Sequence, residues 1–279
     1  MDYVELDMSV GDDERAEIVT ALLCDMPFEA FETADGHLKA YIPAKDYEAC
    51  RAEAAAVLDA AGVAERSERV IGREDWNAAW ESDFEPVEVA GDIPVRIRAP
   101  HHAPSAAGVM DVTVVPHMSF GTGHHVTTAL MTSAITSLGV GGLRGLDMGC
   151  GTGVLSIVAV KCGAEAVTAV DTDEWACRSC CESAELNGVA DRIEVVCGSM
   201  GDVAARRFDF IVANINRNIL LDMMPMFGAA LAEGGRCVMS GFLADDAAAI
   251  REAAQRHGMA CESESERDGW VAAVCRKAE

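Results

Sequence analysis

The sequence predicts an α/β protein built on an open, mostly parallel sheet covered by helices on both faces, with a smaller α+β unit in front of it. Three observations predict this. From Gly142 onward apolar strand patterns alternate with helical ones. The first 72 residues instead read strand, helix, strand, strand, helix, strand, and the chain finishes on a hairpin pattern with an Asp-Gly turn. A length of 279 residues is long for one domain and comfortable for one large and one small, and an apolar content of 50% is enough to fill both cores.

In the first unit, Tyr3 to Met8 alternates apolar and polar residues at the period of a half-buried strand. Asp12 through Asp25 has helical spacing, with Ala16, Val19, Leu22 and Leu23 on one face, and Pro27 ends it. Phe28 to Thr33 and His37 to Ile42 flank the turn signal Ala34-Asp35-Gly36. Asp46 to Ala61 is Ala-rich and stops at Gly62, and Glu68 to Ile71 supplies a fourth strand. The order βαββαβ predicts a ferredoxin-like domain over residues 1–72, a fold that binds rather than catalyses; no catalytic cluster lies in it. Residues 73–85 read as a linker helix, with Trp76 and Trp80 on one face.

The second unit is expected over 86–279. Its strands are predicted at 144–148, 166–170, 193–197, 208–213 and 235–240, and its helices at 153–162, 174–187, 217–232 and 245–257. Met259 to Glu266 and Trp270 to Arg276, joined through Arg267-Asp268-Gly269, form the terminal hairpin. An α/β sheet that ends in an antiparallel hairpin is unlike an ordinary dinucleotide-binding domain.

The formal net charge is −24. Such a surface repels phosphate, so direct nucleic-acid binding is not expected, whereas a basic protein is drawn in. Residues 1–84 carry 21 acidic and 7 basic side chains, against 25 and 15 in the remainder, which makes the shorter unit the more acidic per residue and the natural dock for a Lys-rich partner. No segment approaches the roughly 18 apolar residues that span a bilayer, and Met1-Asp2-Tyr3-Val4-Glu5 lacks the basic start of a secretory signal, so the expected location is cytoplasmic, with no membrane. Eleven cysteines, an odd number, are better read as buried thiols than as disulfides.

The strongest local signal is Leu146-Asp147-Met148-Gly149-Cys150-Gly151-Thr152-Gly153-Val154-Leu155, which follows a strand and opens a helix. Gly149 and Gly151 let the backbone approach a ligand closely. The spacing is GxGxG rather than the GxGxxG of a pyrophosphate site, and Asp147 just before it suits a ligand that carries an ammonium or sulfonium. Asp171, at the end of the next strand, is placed to accept both hydroxyls of a ribose. Asn214-Ile215-Asn216-Arg217-Asn218 follows the apolar strand Phe208 to Ala213, so Asn214 lands beside the same pocket, where its amide oxygen can accept an N–H from an incoming amine. Upstream, Ser119-Phe120-Gly121-Thr122-Gly123-His124-His125-Val126-Thr127-Thr128 reads as a loop able to fold over a bound ligand, capped by Thr127 or Thr128 at the helix that follows.

These segments resemble those of the bacterial ribosomal protein L11 methyltransferases. The likeness rests on Ser119 to Gly123 with Thr127-Thr128, on Asp147 to Leu155, on Asn214 to Leu220, and on Glu74-Asp75-Trp76 with Trp80. It covers essentially the whole chain, though the first 70 residues match mainly in the order of elements. The resemblance implies a seven-stranded class I methyltransferase domain, Rossmann-like, behind a ferredoxin-like substrate-recognition domain, with the terminal hairpin supplying an antiparallel strand at the sheet edge. It implies S-adenosyl-L-methionine as cofactor, with Thr128, Gly149, Asp171 and Asn214 as contacts. The implied activity is methylation of amines, lysine side chains or an N-terminal amine, on a basic protein of the large ribosomal subunit, by a monomer. The chain departs from the family at His124 and Val126, where Thr and Pro are usual, and at the polar Asn216, Arg217 and Asn218.

Methyl transfer from a sulfonium needs no acid, because the leaving thioether takes no proton. It needs a neutral amine on the order of 3 Å from the methyl carbon and in line with the C–S bond. A lysine, with a pKa of about 10.4, must first lose its proton, which a dry slot favours. Phe120 and the Asn214 segment are the candidates for that slot, with Thr122 and Gly123 in the loop that closes over the cofactor.

Other chemistries fit less well. Cys177 and Cys180 have CxxC spacing, but no second pair follows. Five of the seven histidines lie between His101 and His125 without a carboxylate at ligand spacing, so no metal is expected. Cys150 has no partner base. A nucleotide-linked oxidoreductase is disfavoured by the glycine spacing and the hairpin, and a pure binding module by the intact cofactor pocket. The remaining alternative keeps the cofactor and changes the acceptor to another protein or a small-molecule amine.

Overall fold

The computed structural model describes residues 3–24, 26–34, 36–63, 65–71, 85–115 and 123–278. The expected linker helix with Trp76 and Trp80, and the loop residues Phe120 and Thr122, lie outside them. The chain divides into two compact units, Met1–Ser82 and Asp83–Glu279.

The first unit runs β1 (Tyr3–Ser9), α1 (Asp13–Leu23), β2 (Ala30–Ala34), β3 (His37–Pro43), α2 (Ala44–Ala60) and β4 (Arg66–Ile71). Its sheet has the order β2-β3-β1-β4, antiparallel throughout. Val4, Leu6 and Met8 alternate inward along β1 to meet Val19, Leu23, Ala54 and Leu58 of the helices. Asp12 caps α1 by accepting the Arg15 N–H.

The second unit opens with β5 (Val87–Val89), β6 (Val95–Arg98) and β7 (Met110–Thr113), which form a small sheet of their own. Then follow α3 (Val126–Ser137), β8 (Arg144–Met148), α4 (Val154–Lys161), β9 (Ala166–Asp171), α5 (Glu174–Leu186), β10 (Ile193–Cys197), the single turn α6 (Met200–Val203) and β11 (Phe208–Asn214). The chain closes with α7 (Arg217–Ala230), β12 (Leu231–Leu243), α8 (Ala247–Arg256), β13 (Met259–Arg267) and β14 (Trp270–Lys277). Among the described residues the main sheet holds seven strands in the order β10-β9-β8-β11-β12-β14-β13. The first five are mutually parallel, and β14 runs against both of its neighbours.

The expected edge position of the reversed strand is therefore corrected: β14 inserts between β12 and β13, and β13 takes the edge. The turn that allows this is Asp268-Gly269, with φ of 51° and 79° between the paired Arg267 and Trp270. Positive φ at both central residues marks the tight hairpin turn whose twist matches the strands it joins. The acids along β13, Glu262, Glu264 and Glu266, suit an edge that must not recruit another strand.

Central strands are apolar runs because both faces are covered. Along β11, Phe210 and Val212 join the core under α3, α4 and α5, whereas Phe208, Ile211 and Ala213 join the core under α7 and α8. Most cysteines are free, with Cys150, Cys177, Cys180 and Cys237 buried. One pair departs from the thiol expectation: Cys261 and Cys275 are directly opposed in the β13–β14 register and are joined as a disulfide. No helix among the described residues is long and apolar enough to cross a membrane.

Candidate functional site

The parallel strands of the second unit change direction of winding between β8 and β11: β9 and β10 lie to one side, β11 and β12 to the other. A crevice forms beyond the carboxyl ends of strands at such a point. Here it is a cavity of about 510 Å³. One half is walled by Gly149 and Gly151 after β8 and by Asp171, Thr172 and Asp173 after β9. The other is walled by Asn214 and Ile215 after β11, by Ile219 and Met223 of α7, by Gly241 of β12, and by Trp270 and His125.

The glycine loop is tied to β9. The N–H groups of Gly149 and Cys150 both donate to the Val170 carbonyl, at 2.8 and 3.1 Å. The Gly151 N–H donates to Asp171 Oδ2 at 3.0 Å, and the Asp173 N–H to Oδ1 at 3.1 Å. Both carboxylate oxygens are thus aimed by backbone before any ligand arrives. Gly149 has φ 76°, and a Cβ there would stand 2.3 Å from Ile215 Cγ2, so only glycine lets this loop meet the segment after β11.

Asn214 ends β11 in a pocket of buried atoms. Its Nδ2 lies 3.5 Å from Thr128 Oγ1, and its Oδ1 is buried with no hydrogen-bond partner among the described residues. A buried acceptor without a partner costs free energy of about 1–3 kcal/mol, and Asn214 is itself one of the residues that line the cavity. Asn216 also lines the cavity, and its side chain caps α7 by accepting the Ile219 N–H.

Three expected cofactor contacts stand elsewhere. Asp147 is fully buried and is not part of the cavity wall. Leu146 and Met148 point to the α7 side of β8, so alternation sends Asp147 to the α4 side, where Oδ2 accepts the Ser156 N–H at 3.1 Å and its hydroxyl at 2.7 Å. Burial, partly offset by those bonds, pushes its carboxyl up to about 6. Thr128 is buried behind Asn214, and Thr127 reaches the wall instead; consecutive residues of a helix face different ways. Gly123 is buried against Ile97 of β6, where a Cβ would meet Ile97 Cδ1 at 2.9 Å. Phe120 and Thr122 lie outside the described residues.

Sequence reasoning did not single out Trp270, Ile219 or His125. His125 caps α3, its Nδ1 lies 2.8 Å from Thr127 Oγ1, and its ring meets Trp270 edge-on at 4.7 Å between centroids. No group of three His, Cys, Asp or Glu side chains poised around a metal is found among the described residues.

The arrangement can hold a nucleoside by its ribose at Asp171, bring a backbone loop against the chain beyond it, and receive a hydrogen-bond donor at Asn214. Comparison with known proteins places the chain in a family. The family model described as ribosomal protein L11 methyltransferase matches residues 11–278. The ribosomal protein L11 methyltransferases of Porphyromonas gingivalis and Bacteroides fragilis are each 37% identical over 262 residues, spanning 92% of this chain and 89% and 92% of theirs. A crystal structure of ribosomal protein L11 methylase from Lactobacillus delbrueckii subsp. bulgaricus is similar with a TM-score of 0.60 and 28% identity, over 66% of this chain and 94% of that one.

Proposed function

The chain belongs to the ribosomal protein L11 methyltransferase family, and from that premise we propose that it transfers methyl groups from S-adenosyl-L-methionine to lysine side chains, or an N-terminal amine, of that large-subunit protein. The observation that carries this reading is the buried, unpartnered Oδ1 of Asn214, on the same cavity as the glycine loop and Asp171. The residues fit the cofactor: a carboxylate held open for a ribose, a glycine cradle that a Cβ would fill, and an acceptor waiting for a donor.

When bound, the cofactor supplies a methyl group on a cationic sulfur. Asp171 accepts the ribose hydroxyls, and the backbone at Gly149 and Gly151 passes close beside the ligand. Asn214 accepts an N–H of the neutral amine through Oδ1, which turns the nitrogen lone pair toward the transferred carbon. None of these residues moves a proton; the amine loses its own to solvent on entering a wall of low polarity.

In the same reading, residues 1–72 are a ferredoxin-like substrate-recognition domain, 73–85 join it to the catalytic part, and 86–279 are the class I methyltransferase domain. The strand order β2-β3-β1-β4 supports the first assignment. Charge supports its role. Its described cations are engaged at home: Arg51 with Glu68, Arg66 with Asp59, Lys39 and Arg69 with Glu5, Lys45 with Asp46, and Arg15 with the Ala61 and Gly62 carbonyls. The surplus carboxylates are left for a basic partner.

The test is transfer of labelled methyl groups from S-adenosyl-L-methionine to total ribosomal protein, with intact mass and peptide mapping of the labelled band. Label on lysine or N-terminal amines of one large-subunit protein is the expected result. Tight cofactor binding with no labelled ribosomal protein would send the acceptor assignment to another protein or a small amine.

A further inference from the structure

Asn214 separates two chemically unlike parts of the cavity. Toward β9 the wall carries the carboxylates of Asp171 and Asp173; toward β14 it is made by Trp270, Ile219, Met223, Gly241 and His125 together with the uncharged Thr127, Ile215 and Asn216, and none of the lining residues on that side is acidic. In a chain of net charge −24 a cavity wall free of acids is conspicuous. Trp270 reaches this place because β14 runs backwards, so that its first residue lies at the same end of the sheet as the last residue of β11. The indole is braced by the His125 ring, which meets it edge-on with an interplanar angle of 76°. His125 is itself held, with Nδ1 at 2.8 Å from Thr127 Oγ1 and 3.3 Å from the Thr127 nitrogen. Leu243 stands opposite Trp270 in the strand register and is 45% exposed, and Ile219, on the wall, is 41% exposed.

We propose that Trp270 determines acceptor specificity: its indole, with Ile219 and Met223, forms the slot along which the methylene stem of a substrate lysine lies, delivering Nζ to Asn214. The inference rests on the methyltransferase reading given above. An indole and two aliphatic side chains match a hydrocarbon stem, which buries well against them while its polar end passes beyond. The wall also sets the protonation state. Without a carboxylate to hold it, an ammonium in this slot is destabilised, and the amine enters neutral after giving its proton to solvent. The nitrogen lone pair then forms the N–C bond as the C–S bond breaks and its electron pair leaves on sulfur. A shorter or branched amine would lose the contact with Trp270 and with it the aim at Asn214.

The test compares wild type, Trp270→Ala, Trp270→Phe and Ile219→Glu, with S-adenosyl-L-methionine affinity by calorimetry and labelled methyl transfer to the purified ribosomal protein. Trp270→Ala should raise KM for the protein on the order of tenfold or more while cofactor affinity is kept, and Trp270→Phe should recover most of the loss. Ile219→Glu keeps the fold, since an acid in the first turn of α7 is favoured by the helix dipole. By holding the ammonium of the bound lysine it should move the acid limb of kcat upward by about one pH unit. Unchanged KM in Trp270→Ala, a parallel loss of cofactor affinity, or an unmoved pH limb would overturn the slot. Wild type that binds cofactor but labels no ribosomal protein would overturn the methyltransferase reading and remove the slot with it; an active wild type with indifferent variants overturns the slot alone.

Discussion

The backbone N–H of Gly151 donates to Oδ2 of Asp171 across 3.0 Å, so the loop after β8 and the carboxylate after β9 are a single unit before any ligand binds. With the Asp173 N–H on Oδ1, each oxygen keeps lone pairs for a ribose hydroxyl. Asp171→Asn loses one acceptor and turns an amide N–H₂ toward a backbone N–H. Asp171→Ala loses both acceptors and frees the loop. We expect the S-adenosyl-L-methionine Kd to rise on the order of tenfold in the first and a hundredfold in the second, about 1.4 and 2.7 kcal/mol. Calorimetry decides, and an asparagine variant that binds as tightly as wild type would remove Asp171 from the ribose.

Gly149 answers to a different constraint, the approach of Ile215. A Cβ at position 149 would stand 2.3 Å from Ile215 Cγ2, on a backbone with φ 76°. Gly149→Ala therefore combines left-handed strain of about 1–2 kcal/mol with overpacking of similar size. The expected result is a lower Tm together with weaker cofactor binding, because the displaced segment also carries Asn214. Gly149→Ala with Ile215→Ala should regain part of both losses. Failure of the double variant to recover anything would mean that the clash is absorbed elsewhere.

Asn214 is the residue whose loss should separate chemistry from binding. Its Oδ1 is buried and unpartnered among the described residues, so the bond it makes belongs to the bound state. Asn214→Ala should lower kcat on the order of 10²–10³-fold, the usual cost of one positioned hydrogen-bonding group, with a much smaller change in cofactor Kd. Single-turnover rates at saturating substrate make the comparison. Turnover left unchanged in Asn214→Ala would remove the residue from the mechanism.

Much of this site was legible in the sequence, for physical reasons that also mark where reading stopped. Phe208 to Ala213 is an apolar run that only a doubly covered strand accommodates, and Asp268-Gly269 tolerates the positive φ that a tight hairpin demands. The place of β14 between β12 and β13 was not legible, because alternation fixes a strand's faces and not its neighbours. Trp270 and His125 went unmarked for the same reason: they meet only when a reversed strand and a helix cap 145 residues apart are brought to one end of the sheet. Asp147 was misplaced although the signal was present. Leu146 and Met148 point to one face of β8, and the residue between them has to point to the other.

That burial gives Asp147 a pH signature. Its carboxyl is pushed up to about 6 by burial, against the ordinary aspartate value near 3.9 in the unfolded chain. Between those values the native state binds the extra proton, so the contribution of this group to stability falls as pH rises. It is least costly below about pH 4 and reaches a penalty of about 3 kcal/mol by pH 7. Asp147→Asn cannot ionise, and its amide oxygen can still accept from Ser156 at the start of α4. The difference in unfolding free energy between the two proteins, from urea titrations at pH 4.5 and 7, should therefore shift by about 2 kcal/mol, with wild type comparatively weaker at pH 7. Taking the difference cancels the many other carboxylates of the chain, which titrate alike in both. A difference that holds constant over that range would mean that Asp147 is charged throughout, and that a cationic neighbour rather than Ser156 alone holds the carboxylate in the core.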